Sequence, residues 1–456
     1  MKSRYPFTVS LVLLSAACGG NPGSTEAASE TLADQTDGGV DLALKLTAAR
    51  AGHPVSRGFP LHPTYGNPHQ RDAGSTSTGT TSTEQDAGSK DDAAASADAG
   101  SESDDDAGEP RADAGGQHAV DAGGATNPSG FAGLHAVGSK ILDANGKTVV
   151  LHGVNRSGSE FACVDGYGFF DGPTDAASLQ AMKAWNINAV RIPINEDCWL
   201  GINGVSAAYS GTNYQQAIEA YVNLIVANGM YAIVDLHWNA PGTTLATGQE
   251  AMADADHSPT FWTSAAGVFK SNGSVVLELY NEPWPDNNND TTAAWTCWRD
   301  GGACPSISYE VAGMQTLVTA VRATGATNLL LLGGVQYSNA LDQWAAYKPT
   351  DSLNNLAAAW HVYNGNLCSD TTCFNKIAAP LAESFPIVAT EIGDDGCDGS
   401  FVTTIASWLD AHGQSYSAWT WNTWGTTCGN YSLISDYTGT PSGSVGTAYH
   451  TYLSGL

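Results

Sequence analysis

The sequence predicts an α/β fold of the (β/α)8 (TIM) barrel type over residues 131–456, opened by a β-hairpin and preceded by a long polar leader. Three observations lead there. Eight apolar strand-like runs alternate with amphipathic helix-like segments, and almost every run ends in a residue capable of chemistry. No Gly-x-Gly-x-x-Gly follows the first run. Continuous apolar strands separated by helices indicate a parallel sheet covered on both faces. A closed barrel gathers its strand ends into one mouth, whereas an open doubly wound sheet spreads them along a line.

The N-terminus reads MKSRYPFTVSLVLLSAACGG: Lys2 and Arg4, an apolar run from Phe7 to Leu14, then small residues. This is the pattern of an export signal over residues 1–17, too short to span a bilayer. Cleavage after Ala17 and lipidation of Cys18 are both compatible with it, since Leu14 lies one residue further from the cysteine than in a typical lipobox. The expected location is accordingly secreted or anchored at the bacterial cell surface or outer membrane, with a lipid on Cys18 as the attachment in the second case. Residues 18–130 are rich in Ser, Thr, Ala, Gly and Asp, with Asp-Ala-Gly beginning at Asp72, Asp86, Asp98, Asp106, Asp113 and Asp121. So little apolar surface cannot offset chain entropy, and a disordered acidic linker is expected. The irregular spacing argues against a calcium-binding repeat.

After Phe131, KILDANGKTVVLHGVN reads as two short strands about an Asn-Gly turn. The strand candidates are 149–155, 189–194, 231–238, 275–283, 328–334, 357–363, 386–393 and 417–422, with helices at 214–229, 308–325 and 400–413 among the segments between them. Hydrophobic content of 42% suffices for one large core. Nine cysteines become eight without Cys18, an even number in an exported chain. Cys297 with Cys304 and Cys368 with Cys373 are near enough for local loops; Cys163 with Cys198 and Cys397 with Cys428 are the remainder.

Formal net charge is -28, from 18 Lys+Arg against 46 Asp+Glu, and the acidity extends beyond the leader into the barrel region. Such a surface repels phosphate backbones, so no nucleic-acid partner is expected. No Cys/His spacing suggests a metal site, and no cofactor is expected.

The stretch LELYNEPWP holds two carboxyls in an apolar setting, Glu278 and Glu282. Strand alternation places Glu278, Tyr280 and Glu282 on one face, with the carboxyls about 13 Å apart along the strand. Pro283 ends the strand and puts Glu282 at the rim. Glu391, in PIVATEIG, ends the strand that barrel closure brings opposite. Two carboxyls about 5 Å apart are what a retaining glycosidase requires. Asp235 and Glu278 read as structural partners for polar groups in the interior. Trp238, Trp284 and Trp199 are open to either subsite or packing roles, and Asp256 with His257 in MADADHSPTFW are candidates for shaping a cleft.

The segments LHGVNRSGSE, NAVRIPINEDCW, YAIVDLHW, LELYNEP, WHVY, VATEIG and WTWN resemble glycoside hydrolase family 5 across the whole of 131–456. The resemblance implies Glu282 as acid/base and Glu391 as nucleophile. It implies Arg191 beside the nucleophile, Tyr363 as its hydrogen-bond donor, and Asn281 on the sugar 2-hydroxyl. His237 and His361 match binding-site histidines, and Trp421 matches the tryptophan flooring the central subsite. The implied activity is retaining hydrolysis of a β-glycan, foremost as an endo-β-1,4-glucanase. Mannanase, xyloglucanase and exo-acting enzymes share the pattern, and a surface carbohydrate-binding protein is the non-enzymatic alternative. A monomer with a polysaccharide or oligosaccharide partner is expected.

Overall fold

The computed structural model describes residues 133–394, 396, 398–425 and 431–456. The expected signal segment, the linker, Cys18 and the Cys397–Cys428 pair lie outside the described residues. Eight parallel strands close into a barrel: β1 His152–Asn155, β2 Ala189–Asn195, β3 Tyr231–Trp238, β4 Val275–Glu278, β5 Leu330–Gly333, β6 Leu356–Tyr363, β7 Ile387–Gly393 and β8 Ser415–Ala418. Each pairs with its sequence neighbours, and β8 returns to β1. Helices follow the strands, among them Thr212–Ala227, Met314–Ala323 and Ser400–Ala411. Their starts follow local chemistry where a side chain is available: Asp175 accepts from the Ser178 amide at 2.8 Å to begin Ala176–Ala184, and Asn195 caps the short helix Glu196–Leu200.

Period-two alternation sorts the strand side chains into two environments. Val190, Ile192, Val234, Leu236, Leu277, Leu332, Ala358 and Tyr416 face outward and form the main core beneath the helices. Ala189, Ile233, Val276, Leu331, Ala357, Ala359 and Val388 fill the lower barrel. Two residues further along the same inward rows stand Arg191, Asp235, Glu278 and His361, all fully buried. The barrel is thus apolar at the bottom and charged near the mouth, an inversion set by single steps of the strand pleat.

The expected hairpin about Asn145-Gly146 is present and gains a third strand. His135–Val137, Lys140–Leu142 and Thr148–Val149 form an antiparallel sheet, and the expected strand 149–155 is divided between it and β1. Leu134 and Ile141 pack into the lower barrel cluster, so this sheet floors the end opposite the mouth. Three of the expected disulfides form: Cys163–Cys198, Cys297–Cys304 and Cys368–Cys373. All three brace segments that leave the C-terminal ends of strands, the side on which a barrel carries its chemistry.

Behind the mouth, the helix-start residue Glu196 is fully buried, as is Asp254 in the segment following β3. One hydroxyl, Ser258 Oγ, lies 2.6 Å from Glu196 Oε2 and 3.3 Å from Asp254 Oδ2. Burial, reinforced by the Asp254 charge, lifts the Glu196 carboxyl well above the ordinary range, so the folded protein retains a proton that the unfolded chain releases near 4.5. Stability therefore falls as pH rises from that value through the folded one. Glu196→Gln is expected to abolish this loss: its thermal midpoint should match wild type near pH 4 and exceed it at pH 9 by about 2 °C or more, as each pKa unit carries roughly 1.4 kcal/mol. Parallel melting curves across that range would disprove the buried proton.

Candidate active site

The site is built around Arg191 on β2. Its Nε donates to Glu278 Oε2 at 2.6 Å, and its Nη1 donates to Glu391 Oε1 at 2.6 Å and to Asn155 Oδ1 at 2.9 Å. Its Nη2 donates to Asn281 Oδ1 at 2.7 Å and lies 2.9 Å from Asp235 Oδ2. One guanidinium fork thus ties β1, β2, β3, β4 and β7 together, a use for which lysine has too few directed donors. Burial opposes its charge, but Asp235, Glu278 and Glu391 outweigh that and hold it cationic.

His361 forms the second hub. Its Nδ1 lies 2.9 Å from Glu282 Oε1 and its Nε2 lies 3.1 Å from Thr390 Oγ1, whose own proton goes to Glu278 Oε1 at 2.7 Å. With Thr390 donating to Glu278, Nε2 donates to the Thr390 hydroxyl, and Nδ1 faces the Glu282 carboxyl. Burial alone would lower its pKa; Glu391 first, then Glu278 and Glu282, overcome burial and push it up to about 10. Burial raises Asp235 well above its ordinary value, with Glu278 and Glu391 adding to the rise against the pull of Arg191. Burial also opposes the charge of Glu278, but Arg191 and His361 hold its carboxyl below the usual range. The Arg191 guanidinium and the His361 ring thus face the carboxyls of Asp235, Glu278 and Glu391, a pairing that a water-excluded interior requires.

Glu391 is fully buried, with Arg191 on Oε1 and the Tyr363 hydroxyl donating to Oε2 at 2.6 Å. Burial and the Glu391 charge raise Tyr363 well above the ordinary phenol value, so it stays a neutral donor. The Glu282 side chain is 14% exposed, the open member of the pair. Oxygens of Glu282 and Glu391 lie within 4.8 Å of each other and of a His361 nitrogen. Those three groups are close enough together to hold a divalent ion. Bulges explain how β7 supplies two inward residues in succession: the β6–β7 register shifts between Ala359 and His361, and the β7–β8 register between Ala389 and Ile392. Thr390 and Glu391 therefore both reach the interior.

The structure brings together Arg191, His237, Asn281, Glu282, His361, Tyr363 and Glu391. His237 Nδ1 lies 2.7 Å from Asp235 Oδ2, and its ring stacks on Trp419 at 5.5 Å with 5° between planes. Trp421 is not among them. It packs edge-on against Trp185 at 4.9 Å, in the core beneath the helices. Trp419 occupies the inward face instead: it follows the outward Ala418 directly, and with β8 ending at Ala418 strand alternation does not carry on to Trp421. Trp421→Ala is expected to cost about 3–5 kcal/mol of stability while sparing activity per folded molecule. Trp419→Ala should lower kcat/KM about tenfold or more, through lost stacking. Urea denaturation and kinetics on both variants check the exchange, which equal activity losses would contradict.

The expected alternation at Glu278, Tyr280 and Glu282 also fails. The strand ends at Glu278, and Tyr280 turns outward into the core, its hydroxyl 2.6 Å from the Glu250 carbonyl and 2.9 Å from Asn239 Oδ1. The chain then brings Asn281 back inward. A single imidazole spans Glu278 and Glu282, so they lie far closer than an extended strand would hold them. Trp199 is core, packed on Phe261 and Phe269, whereas Trp238 and Trp284 remain at the mouth, half-buried. Asp256 and His257 latch onto Gly242, at 2.7 and 2.8 Å.

Two carboxyls at this spacing on a barrel mouth carry the chemistry of glycosidic-bond hydrolysis. Residues 142–427 match the family Cellulase (glycosyl hydrolase family 5), and the chain belongs to that family. Endoglucanase A of Butyrivibrio fibrisolvens is 26% identical over 297 residues, covering 63% of this chain and 59% of its own. The chain therefore spans less than two thirds of that relative. A mannan endo-1,4-beta-mannosidase of Salipaludibacillus agaradhaerens is 21% identical over 314 residues, covering 68% and 87%. The β-glucanase SdGluc5_26A from Saccharophagus degradans superposes with a TM-score of 0.54 at 20% identity over 71% of this chain and 93% of that one, a likeness of fold.

Proposed function

We propose that the protein is a retaining endo-β-1,4-glucanase acting by double displacement. The observation that carries the reading is the carboxyl pair: Glu391 buried and held on both oxygens, Glu282 partly open and within 4.8 Å of it. The Glu391 carboxylate attacks the anomeric carbon while Glu282 gives its proton to the departing glycosidic oxygen. A glycosyl ester on Glu391 results. Glu282, now a carboxylate, takes a proton from water, which displaces the ester and restores both groups. Arg191 and Tyr363 fix the nucleophile, His361 orients Glu282, and Asn281 is placed for the 2-hydroxyl. Trp419 and His237 offer the flat surface for the sugar being cleaved.

Aromatic rings on both sides of the carboxyls support endo action. Phe161 after β1 lies 6.3 Å from both Trp238 at the end of β3 and Trp424 after β8, and Trp284 after β4 lies 6.0 Å from Tyr337 after β5. A polymer crossing the mouth meets stacking surface before and after the scissile bond. Endoglucanases recur among the relatives, which favours glucan, whereas the mannosidase match makes mannan the competitor. Reducing-sugar release and the drop in viscosity should be followed on β-1,4-glucans, xyloglucan and mannans. Glucan cleavage with early viscosity loss is expected; faster cleavage of mannan would overturn the substrate, and inactivity on every polymer the enzyme reading.

A further inference from the structure

We infer that Gln249, in the segment following β3, is a positioning residue that locks the acid/base to the nucleophile through a directed hydrogen-bond relay. The inference rests on the retaining reading above. Gln249 Nε2 donates to the main-chain carbonyl of Glu282 at 2.8 Å, and Gln249 Oε1 accepts from Asn281 Nδ2. Asn281 Oδ1 in turn accepts from Arg191 Nη2 at 2.7 Å, and Arg191 Nη1 donates to Glu391 Oε1 at 2.6 Å.

Both ends of this relay remove any ambiguity about the amides. A guanidinium can only donate, so Asn281 turns its oxygen to Arg191 and its nitrogen to Gln249. A peptide carbonyl can only accept, so Gln249 turns its nitrogen to Glu282 and its oxygen to Asn281. Read from either terminus, the two side-chain orientations agree. The relay links the two carboxyls by a route separate from His361, and it fixes main chain rather than side chain at Glu282. Main-chain support matters here because β4 has already ended at Glu278, so no strand pairing holds residue 282.

The segment carrying Gln249 is itself anchored. Asn239 Nδ2 donates to Asp254 Oδ2 at 2.8 Å, the Tyr280 hydroxyl meets the Glu250 carbonyl, and the Trp284 amide donates to the Ala251 carbonyl at 2.9 Å. Gln249 is therefore presented from a fixed base. Its role is to set where the Glu282 proton is delivered and how the Asn281 amide faces the sugar.

Gln249→Leu removes both ends of the contact; Gln249→Glu keeps an acceptor for Asn281 and replaces the donor to Glu282. The test measures kcat and KM for aryl β-glycosides of the disaccharide the wild type hydrolyses, with phenol and 2,4-dinitrophenol as leaving groups. A dinitrophenolate departs without a proton, so only the phenol series needs an aligned acid. For both variants, kcat/KM on the phenyl glycoside should fall about tenfold or more beyond any loss on the dinitrophenyl one, mainly in kcat. Gln249→Leu should add a smaller loss common to both substrates through Asn281. Equal losses on the two leaving groups, or none, would overturn the positioning role, and Gln249→Glu decides the matter where the leucine variant folds poorly. A wild type that fails to release dinitrophenol would sink the retaining reading itself, before the variants are compared.

Discussion

Glu391→Ala is expected to lose at least about 10⁴-fold in kcat/KM on the preferred glycan, with every substrate affected alike. The residue is fully buried and both its oxygens are engaged, so no neighbour can rotate into its place. The emptied space beside Arg191 suits a small anion. Added azide should restore turnover of a dinitrophenyl glycoside and yield a glycosyl azide of inverted, α, configuration. Glu282→Ala should behave differently, sparing the dinitrophenyl substrate for the first step and forming a β-azide. Restored activity with the same anomer from both variants would exchange or refute the two roles.

Arg191→Met is expected to cost about 3–5 kcal/mol of stability. It takes the guanidinium from Glu278 and Glu391, leaving them to His361, and leaves Asp235 with His237 alone. The pH dependence should also weaken at Glu278. In the wild type, the lowered carboxyl contributes stability above its unfolded value, lost as pH falls through the folded one. In the variant, only His361 and the Thr390 hydroxyl still oppose burial, so the folded value rises and less stability is lost in acid. Urea midpoints at pH 4.5 and pH 8 check this: the deficit against wild type should be clearly smaller at pH 4.5. A constant deficit would mean the carboxyls find other cations, and no deficit would mean they were never charged.

Barrel closure was readable from sequence because strands with apolar runs and chemical ends leave few alternatives. The glutamates and Arg191 were readable for the same reason, as strand ends in a closed barrel must converge. Legibility ended where the pleat broke. Strict alternation points Tyr280 inward, yet β4 stops two residues earlier and the chain rotates. Motif position points to Trp421, yet β8 stops at Ala418 and the ring that faces His237 is Trp419. Gln249 left no sequence signal: a glutamine in an irregular segment has no period from which to read its direction. His361 is legible as a strand-end residue but not as a hub, since its partner Thr390 is turned inward beside Glu391 only by a bulge in β7.

The floor sheet also sets the mechanics of the molecule. The described chain enters through Leu134 and His135–Val137, at the end of the barrel away from Glu282 and Glu391. Tension along that end is borne by the Leu134 amide on the Gly273 carbonyl, 2.9 Å, by antiparallel pairing, and by Leu134 and Ile141 seated in the lower barrel. Sheared this way, the protein should yield first at its floor, with the stapled loops of the mouth undisturbed. Force applied at residue 133 then acts on the face of the barrel opposite the mouth, leaving Glu282 and Glu391 outside the path that transmits the first yielding.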